Sequence, residues 1–483
     1  MIEAAHNTMT RILAADILRR LPPEWPDDLL PAIRAEIEAS GSKLVVLDDD
    51  PTGTQTVQNV TVLTRWDVDL LIAELRHPGS TCYILTNSRS LASEEARRLA
   101  SCIVRNLTSA SAQTGRPVRV LSRSDSTLRG HFPDEIEGIV EALGFEPDAL
   151  VLAPFFLEGG RLTIGDVHYV REGDNLVPAG MTEFARDPAF GYGSSNLREW
   201  VVEKAGGRIH PEQVDSLSLE EIRRAGPDHV LERLLTTPRG RVWIVNAAAM
   251  SDVQVAALAL LRAERRGLRI LCRTAASFVP AYGGLEPASL LDGHSFCSGS
   301  GGGLVVVGSF VPRTTRQLAE LLSHGTCVGV ELDAAALLDP EQRMHEVSKA
   351  GEFASRTMAE GRHAVIYTSR QVIQGRTREE SLTIQQTISR ALVEVVRGLE
   401  VRPRFLVAKG GITASDIATE GLAVVRAEVL GQIVPGVPVW KLGPESRFPG
   451  IPLVVFPGNV GGPESLVETL RRLEGRRKEE APC

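Results

Sequence analysis

Residues 47–57, LDDDPTGTQTV, decide how the chain is interpreted. The apolar run before them, residues 44–47 (LVVL), predicts a short buried strand that ends in three consecutive aspartates. Pro51 and Gly53 then end the strand. Three like charges repel one another, so they call for a metal, a substrate hydroxyl or a carboxylate with a raised pKa. A solvated acidic turn is the simpler alternative, but such a turn needs one Asp as a cap and not three.

The composition is that of an ordinary soluble chain, because 43% of the 483 residues are hydrophobic and 24% are charged. A net charge of -8 argues against a nucleic-acid partner, so an anionic substrate must meet a local basic cluster. The six cysteines lack metal-ligand spacing and predict reduced thiols in a cytoplasmic protein. No stretch approaches the roughly 18 apolar residues of a membrane span, so no membrane partner is expected.

Strands and helices alternate along most of the sequence. This pattern predicts an α/β fold with two domains, each a mainly parallel sheet covered by helices, and an active site in the cleft between them. The predicted parts are a helical extension at residues 1–40, a first domain at 41–291, a Gly/Ser-rich linker or hinge at 292–303 and a second domain at 304–483.

The first domain places carboxylates and guanidinium groups after successive strands. In an open parallel sheet, ligands bind beyond the carboxyl ends of the strands. Arg suits a planar carboxylate, and an Asp that faces a hydroxyl can act as a general base. The combination indicates a small, hydroxylated, anionic substrate. The candidates are Asp48, Asp49, Asp50, Asn87, Arg89, Arg123, Asp125, Ser126, Thr127, Arg129, His131 and Arg161.

The second domain has glycines at the corresponding places. Backbone N–H groups of glycine loops that open helices can approach phosphate oxygens. Three such loops on one sheet indicate a nucleotide-phosphate site, although the sequence contains no GxxxxGK[ST] or GxGxxG motif. Lys409 could reach a phosphate. The loops are Gly308-Ser309, Gly410-Gly411 and Gly458-Asn459 with Gly461-Gly462.

One domain for a hydroxylated anion and one for phosphates suggest phosphoryl transfer. That reaction needs a positioned hydroxyl, an orienting carboxylate, backbone groups around the phosphates and Mg²⁺. The sequence can supply each of the protein groups.

Several ordered motifs resemble the four-carbon acid sugar kinases, ATP-dependent enzymes that act on threonate, erythronate and 3-oxo-tetronate type acids. The most specific is residues 125–130 (DSTLRG), preceded by Arg123. The resemblance covers roughly residues 43 to 473. The other matching positions are Asp49, Asp50, Thr52, Gly53, Asn87, Ser88, Arg89, Gly160, Arg161, Thr163, Asp187, Pro188, Gly308, Ser309, Gly410, Gly411, Gly431, Gln432, Pro435, Gly436, Val437, Pro438, Gly458 and Asn459.

The resemblance implies phosphorylation of the terminal hydroxyl of a four-carbon acid by ATP with Mg²⁺. Arg89 or Arg123 would hold the substrate carboxylate, and Asp49 or Asp50 would orient or deprotonate the hydroxyl. The implied binding residues for the acid are Arg89, Arg123, Ser124, Asp125, Ser126, Thr127 and Arg129, and those for ATP are Ser309, Thr368, Ser369, Lys409, Gly410, Gly411, Gly458 and Asn459.

The sequence departs from the family pattern in three places: Asp48 is an extra acid, Ile412 stands where a Glu often follows the glycine pair, and residues 1–40 exceed the usual start of the family. Two other functions stay open. Asp48, Asp50 and Thr52 fit the DxDxT motif of haloacid-dehalogenase-type phosphatases, with a nucleophilic Asp48 and Asp50 as general acid. The chain could also be a non-catalytic sensor that binds a sugar acid and a nucleotide.

Overall fold

The computed structural model describes residues 12–287, 290–370, 373, 377–458 and 460–475. The chain forms two compact units, and the boundary between them falls inside the aspartate run. The first unit ends at Asp49 and resumes over Trp66–Glu286; the second comprises Asp50–Arg65 and the chain from Pro287 onward. Residues 50–65 therefore cluster with the second unit, whereas the sequence placed them in the first domain.

Strands and helices alternate in both units, which confirms the predicted α/β fold. The strands are β1 (Ile12–Leu13), β2 (Lys43–Asp48), β3 (Val60–Leu63), β4 (Thr81–Leu85), β5 (Val118–Arg123), β6 (Ala149–Ala153), β7 (Arg161–Ile164), β8 (Val167–Glu172), β9 (Asn175–Pro178), β10 (Val214–Leu217), β11 (Arg241–Val245), β12 (Ile270–Thr274), β13 (Leu304–Val307), β14 (Cys327–Leu332), β15 (His363–Thr368), β16 (Leu406–Lys409), β17 (Arg426–Val434), β18 (Val437–Leu442) and β19 (Pro452–Phe456).

Within the described part of the chain, the helices are too short or too polar to cross a membrane. They are α1 (Ala14–Leu18), α2 (Leu30–Ser40), α3 (Val68–Arg76), α4 (Ser93–Thr114), α5 (Asp134–Leu143), α6 (Leu197–Ala205), α7 (Gly226–Thr236), α8 (Met250–Arg265), α9 (Phe278–Gly283), α10 (Pro312–Ser323), α11 (Pro340–Ala359), α12 (Arg378–Arg397), α13 (Gly411–Asp416) and α14 (Ser465–Leu473).

The first unit contains a parallel sheet in the order β10-β11-β6-β12-β5-β2-β4. Every residue of β2 and β6 is buried, as expected for central parallel strands that helices cover on both faces. Asp48, the last residue of β2, lies opposite Leu85 of β4 and Arg123 of β5. Three strands thus end at the same level, and the loops that follow them meet there.

The first unit also contains a small antiparallel sheet in the order β1-β9-β8-β7. Ile12 and Leu13 pair in it with Leu176 and Asn175. The helix expected at the N-terminal extension therefore starts only at Ala14, because pairing with β9 overrides the local helical spacing.

The sheet of the second unit has the order β3-β17-β18-β19-β16-β13-β15-β14. Its strands from β19 to β14 are parallel, and β3, β17 and β18 are antiparallel. β3 pairs with β17, and the Trp440 indole N–H donates to the Thr54 hydroxyl at 2.9 Å. These contacts explain why residues 50–65 belong to this unit.

The segment predicted as a linker, residues 292–303, packs into the second unit. Cys297 belongs to its hydrophobic core. The N–H of Gly303 donates to Nδ1 of His363 at 2.8 Å, and a Cβ on Gly303 would lie 2.2 Å from the Phe405 ring. Gly303 therefore serves close packing, and the role of the segment as a linker or hinge stays a prediction.

Candidate functional site

The first candidate site lies at the carboxyl ends of β2, β4 and β5. The N–H of Thr86 donates to the carbonyl of Asp48 at 2.9 Å, and the N–H of Asp49 donates to the carbonyl of Arg123 at 3.3 Å. These bonds fix the backbone just beyond the strands. They bring the side chains of Asp48, Asp49, Arg89 and Arg123 together.

Asp49 and Arg89 form a bidentate ion pair, with Nη2 at 2.6 Å from Oδ1 and Nε at 3.2 Å from Oδ2. The Ser124 hydroxyl donates to the same Oδ2 at 3.0 Å. Nη1 of Arg123 lies 3.2 Å from Oδ1 of Asp48 and 3.5 Å from Oδ1 of Asp49. The extra Asp48 is thus a counter-charge for Arg123. Both arginines that were expected to hold a substrate carboxylate are paired within the protein.

Asp125 closes residues 125–130 into a tight turn. Its Oδ2 accepts hydrogen bonds from the N–H of Thr127 at 3.2 Å, from Nε of Arg129 at 2.8 Å and from the Thr127 hydroxyl. Leu128 adopts a left-handed φ of 70°. Burial by itself raises the pKa of Asp125. The guanidinium groups of Arg129 and Arg89 lower this pKa by more than burial raises it, so it lies well below its usual range. Asp125 is therefore ionised and shapes the turn.

Two buried side chains that sequence reasoning missed hold this turn in place. Nε2 of His168 lies 2.8 Å from the carbonyl oxygen of Ser126, and Nδ1 lies 2.9 Å from the Thr163 hydroxyl. The Tyr192 hydroxyl donates to the carbonyl of Thr127 at 2.8 Å. Burial lowers the pKa of His168 to about 4, so the ring is neutral. A histidine between the apolar residues Val167 and Tyr169 of β8 is the signal that could have found it.

Arg129 connects the turn to the segment that contains Asp187. Its Nη1 lies 3.6 Å from Oδ2 of Asp187, and its guanidinium lies 5.1 Å from the centre of the Phe184 ring. The guanidinium of Arg161 lies 5.9 Å from the same ring. The structure therefore places two arginines of these motifs near one aromatic side chain, and Asp187 pairs with one of them.

Glu135 is a buried acid at the start of α5, 1% exposed. Its Oε1 has no hydrogen-bond partner among the residues described. Burial and then the charge of Asp49 raise its pKa to about 8, and Arg273 and Arg89 oppose this shift only in part. Glu135 is therefore mostly protonated at pH 7.

Glu135→Gln is expected to flatten the dependence of stability on pH. In the unfolded chain Glu135 loses its proton near its ordinary pKa of 4.5, but in the folded protein it keeps it up to about pH 8. The wild type should therefore lose stability, on the order of a few kcal/mol, as the pH rises between these values. Urea unfolding at pH 5 and pH 8 measures this loss, and the variant should lack most of it. Parallel profiles for the two proteins would contradict the assignment.

The second candidate site is a cavity of about 230 Å³ in the second unit. Glycine loops form one wall, and apolar side chains form the other. Backbone N–H groups suit phosphates, and an apolar wall suits a planar base. Six residues that the sequence selected line the cavity: Ser309, Thr368, Ser369, Gly410, Gly411 and Gly458. The apolar wall includes Phe310, Val311, Ile373, Ile384, Ile388, Leu392 and Ile412.

Ser309 is the residue on which these loops converge. The Thr314 hydroxyl donates to its Oγ at 3.2 Å, and Nη1 of Arg370 donates to its carbonyl at 2.7 Å. A Cβ on Gly410 would lie 3.2 Å from Cβ of Ser309, and a Cβ on Gly458 would lie 3.2 Å from its Oγ. Only residues without side chains let these loops approach Ser309 so closely.

Lys409 does not line the cavity. It is fully buried, and its Nζ donates to the carbonyl of Pro457 at 2.5 Å and to that of Gly458 at 3.4 Å. Burial lowers its pKa to about 7. The expected direct contact with a phosphate is replaced by support of the loop at Gly458. Asn459, which the sequence also selected, lies outside the described residues.

Asp50 lies beside one of the glycine loops of the second unit, the loop at Gly411. Its Oδ1 accepts hydrogen bonds from the N–H of Thr52 at 2.8 Å and from the Thr52 hydroxyl at 2.5 Å. A Cβ on Gly411 would lie 3.1 Å from its Oδ2. The two candidate catalytic aspartates thus serve different units: Asp49 contacts Arg89, and Asp50 faces the loop at Gly411.

The Asp50 carboxylate near Gly411 would suit as one ligand of a Mg²⁺ ion that a nucleotide carries. Within the described ranges, no group of three or more His, Cys, Asp or Glu residues is placed to hold a metal by itself. Mg²⁺ at phosphates commonly takes one or two carboxylates and completes its shell with phosphate oxygens and water. Asp50 is such a carboxylate beside the cavity.

The phosphatase alternative assigns the nucleophile to Asp48. That side chain is only 2% exposed and contacts Arg123 at 3.2 Å. A nucleophile must reach the phosphorus atom of its substrate, and a buried carboxylate paired with a guanidinium is poorly placed to do so.

Comparison with known families matches both units. Residues 44–282 match the sugar-binding N-terminal domain family, and residues 304–466 match the nucleotide-binding C-terminal domain family. The fold and the two sites thus define a two-domain protein of the class that has one sugar-binding and one nucleotide-binding domain. More particularly, the chain belongs to the four-carbon acid sugar kinase family.

Three curated relatives are similar over most of their length. D-threonate kinase of Salmonella typhimurium is 24% identical over 448 residues, which cover 89% of this chain and 98% of the relative. D-erythronate kinase of Heliobacterium modesticaldum is 27% identical, with 78% and 80% covered. 3-Oxo-tetronate kinase of Cupriavidus necator is 25% identical, with 73% and 78% covered.

Two crystal structures share the fold. One is a Salmonella typhimurium protein with a TM-score of 0.64 and 16% identity; the other is a Haemophilus influenzae protein with a TM-score of 0.59 and 17% identity. Each match covers 89% of this chain and 99% of the other. At this identity the likeness concerns the fold alone.

Proposed function

We propose that this protein is an ATP-dependent kinase that phosphorylates the terminal hydroxyl of a four-carbon sugar acid of the threonate, erythronate or 3-oxo-tetronate type. The family and the names of the three relatives support a kinase of such acids. The observation that carries the proposal is the cavity in which the glycine loops converge on Ser309.

In this proposal the cavity binds ATP. The backbone N–H groups around Ser309, Gly410 and Gly458 bind the phosphates, and the apolar wall that includes Ile388 contacts the base. Lys409 acts indirectly, because its hydrogen bonds fix the loop at Gly458.

The sugar acid binds at the strand ends of the first unit. Asp49 keeps Arg89 and Ser124 in place there, because its two oxygens accept hydrogen bonds from both. Ser124 and the turn at residues 125–130 offer further polar groups to the hydroxyls of the acid.

Asp50 is the group that we assign as general base. Its carboxylate is half-buried, and its Oδ2 lies beside Gly411 of the proposed phosphate loop. A general base must reach the acceptor hydroxyl close to the transferred phosphoryl group. When bound, Mg²⁺ would neutralise charge on the phosphates, with Asp50 as the protein carboxylate nearest the loop.

ADP release in the presence of Mg-ATP and a panel of four-carbon acids tests the proposal. D-threonate, D-erythronate and 3-oxo-tetronate are the first acids to compare, with ATP alone as the control. At least one of them should raise the rate of ADP release by 10³-fold or more over that control. Binding of acid and ATP without acid-dependent ADP would instead indicate a sensor. Phosphate release from a phosphorylated acid without ADP formation would indicate a phosphatase.

A further inference from the structure

Arg273 is a buried cation at the edge of the first candidate site. It is the fourth residue of β12, which pairs with β5 on one side and β6 on the other. The N–H of Ser124 donates to the carbonyl of Thr274 at 2.8 Å, so the end of β12 lies directly beside Ser124. Arg273 is 3% exposed.

Arg273 differs from the other arginines of the site in having no counter-charge. Arg89, Arg123 and Arg129 each have a carboxylate oxygen within 3.2 Å. Among the described residues, no carboxylate lies within 4.0 Å of Arg273, and its buried Nη1 has no hydrogen-bond partner. Its guanidinium lies over the face of the Phe132 ring, at 5.5 Å from the centre. Burying a charge without a partner is costly, so this guanidinium calls for an anion.

The turn of residues 125–130 approaches Arg273 closely because residue 130 is a glycine. A Cβ on Gly130 would lie 2.8 Å from Oγ of Ser124, 3.2 Å from Nη2 of Arg273 and 3.3 Å from Oδ2 of Asp49. A φ of 118° also makes this position unfavourable for other residues. The turn at Gly130 therefore lies beside three polar groups: the Arg273 guanidinium, which can donate hydrogen bonds to an oxygen of a ligand, the Ser124 hydroxyl, which donates to Asp49, and the Asp49 carboxylate.

Glu135 does not cancel the charge of Arg273 at neutral pH. It is the acid whose charge acts most strongly on Arg273, but it is mostly protonated at pH 7, as described above. The positive charge of Arg273 is therefore available to an anionic ligand.

We propose that Arg273, and not Arg89 or Arg123, binds the carboxylate of the substrate. The assignment rests on the proposed function, because it names the residue that binds the carboxylate within the same sugar-acid site. A guanidinium can bind a carboxylate through parallel N–H···O bonds and also select an anionic acid over the neutral sugar or polyol. Arg273 is thus a residue that determines specificity.

The test measures binding of D-threonate and D-erythronate, and of their carboxamides, by calorimetry without nucleotide. Arg273→Gln should weaken binding of the acid on the order of 30-fold or more and leave binding of the carboxamide nearly unchanged. Arg273→Lys should restore part of the affinity for the acid. The matched control is Arg119→Gln, a largely buried arginine at the start of β5 that stacks on Tyr282 at 4.7 Å, and it should leave acid binding unchanged.

Several outcomes would overturn the assignment. They are unchanged acid affinity in a folded Arg273→Gln protein, equal losses for acid and carboxamide, or equal binding of the two by the wild type. The last comparison needs no variant, so it stands even where Arg273→Gln does not fold. Acid binding without ADP release in the wild type would contradict the kinase proposal and not the role of Arg273. Acid-dependent ADP release with unchanged acid affinity in the variant would contradict only the role of Arg273.

Discussion

Replacement of Asp50 by Asn is expected to lower kcat by a factor of about 10² to 10⁴, while the acid and ATP still bind with nearly unchanged affinity. The loss follows because an amide cannot accept a proton from the acceptor hydroxyl. The fold should persist, because Oδ1 of the Asn can still accept the hydrogen bond from the N–H of Thr52. Steady-state ADP release gives kcat and KM, and calorimetry gives the two affinities.

Asp49→Asn should behave differently. It removes the closest charge partner of the half-buried Arg89 and leaves Asp125 at 3.8 Å, so it should lower thermal stability and weaken acid binding rather than kcat alone. Asp228→Asn, at a side chain that is 88% exposed, controls for the change in net charge and should leave all these quantities unchanged. If Asp49→Asn lowers only kcat and Asp50→Asn raises only KM, the two roles are exchanged.

The sequence was sufficient to predict the fold class and to select polar residues that lie together at strand ends. Parallel strands that helices cover on both faces are buried, so they occur in the sequence as apolar runs. The polar loops that follow these strands lie together at one edge of the sheet. Residues 44–48 and the glycine pair at 410 and 411 carry this signal directly. The local sequence does not reveal that residues 50–65 belong to the second unit. That membership depends on the pairing of β3 with β17, which are far apart in the sequence.

The partners of charged side chains could not be predicted in the same way. Arg89 and Arg123 looked available for a substrate, but each meets an aspartate that only the register of β2 with its neighbours brings close. Arg273 was overlooked because it lies inside a strand and belongs to no motif. The partner of Lys409 could not be predicted either. Lys409 is next to a glycine loop in the sequence, but its side chain is buried and donates to the carbonyl of Pro457.

Gly410→Ala is expected to weaken ATP binding by about 100-fold or more and to leave acid binding unchanged. Gly410 has φ 124° and ψ 139°, a region that residues with a side chain rarely adopt, at a cost on the order of 1–3 kcal/mol. A Cβ would also lie 3.1 Å from Oγ1 of Thr413 and 3.2 Å from Cβ of Ser309. Relief of these contacts displaces Ser309. A displacement of about 1 Å at a binding loop can account for a loss of about 100-fold.

Gly361→Ala is the matched control for this change. Gly361 follows α11 with a left-handed φ of 79°, but no atom lies within 4 Å of a Cβ built there. The control therefore carries backbone strain without contact to Ser309, so it should lower the melting temperature slightly and leave ATP affinity intact. Calorimetry with ATP and melting curves for both variants separate strain from displacement. Equal ATP affinity in Gly410→Ala and the wild type would show that the loop at Ser309 does not bind the nucleotide, because that substitution cannot leave its position undisturbed.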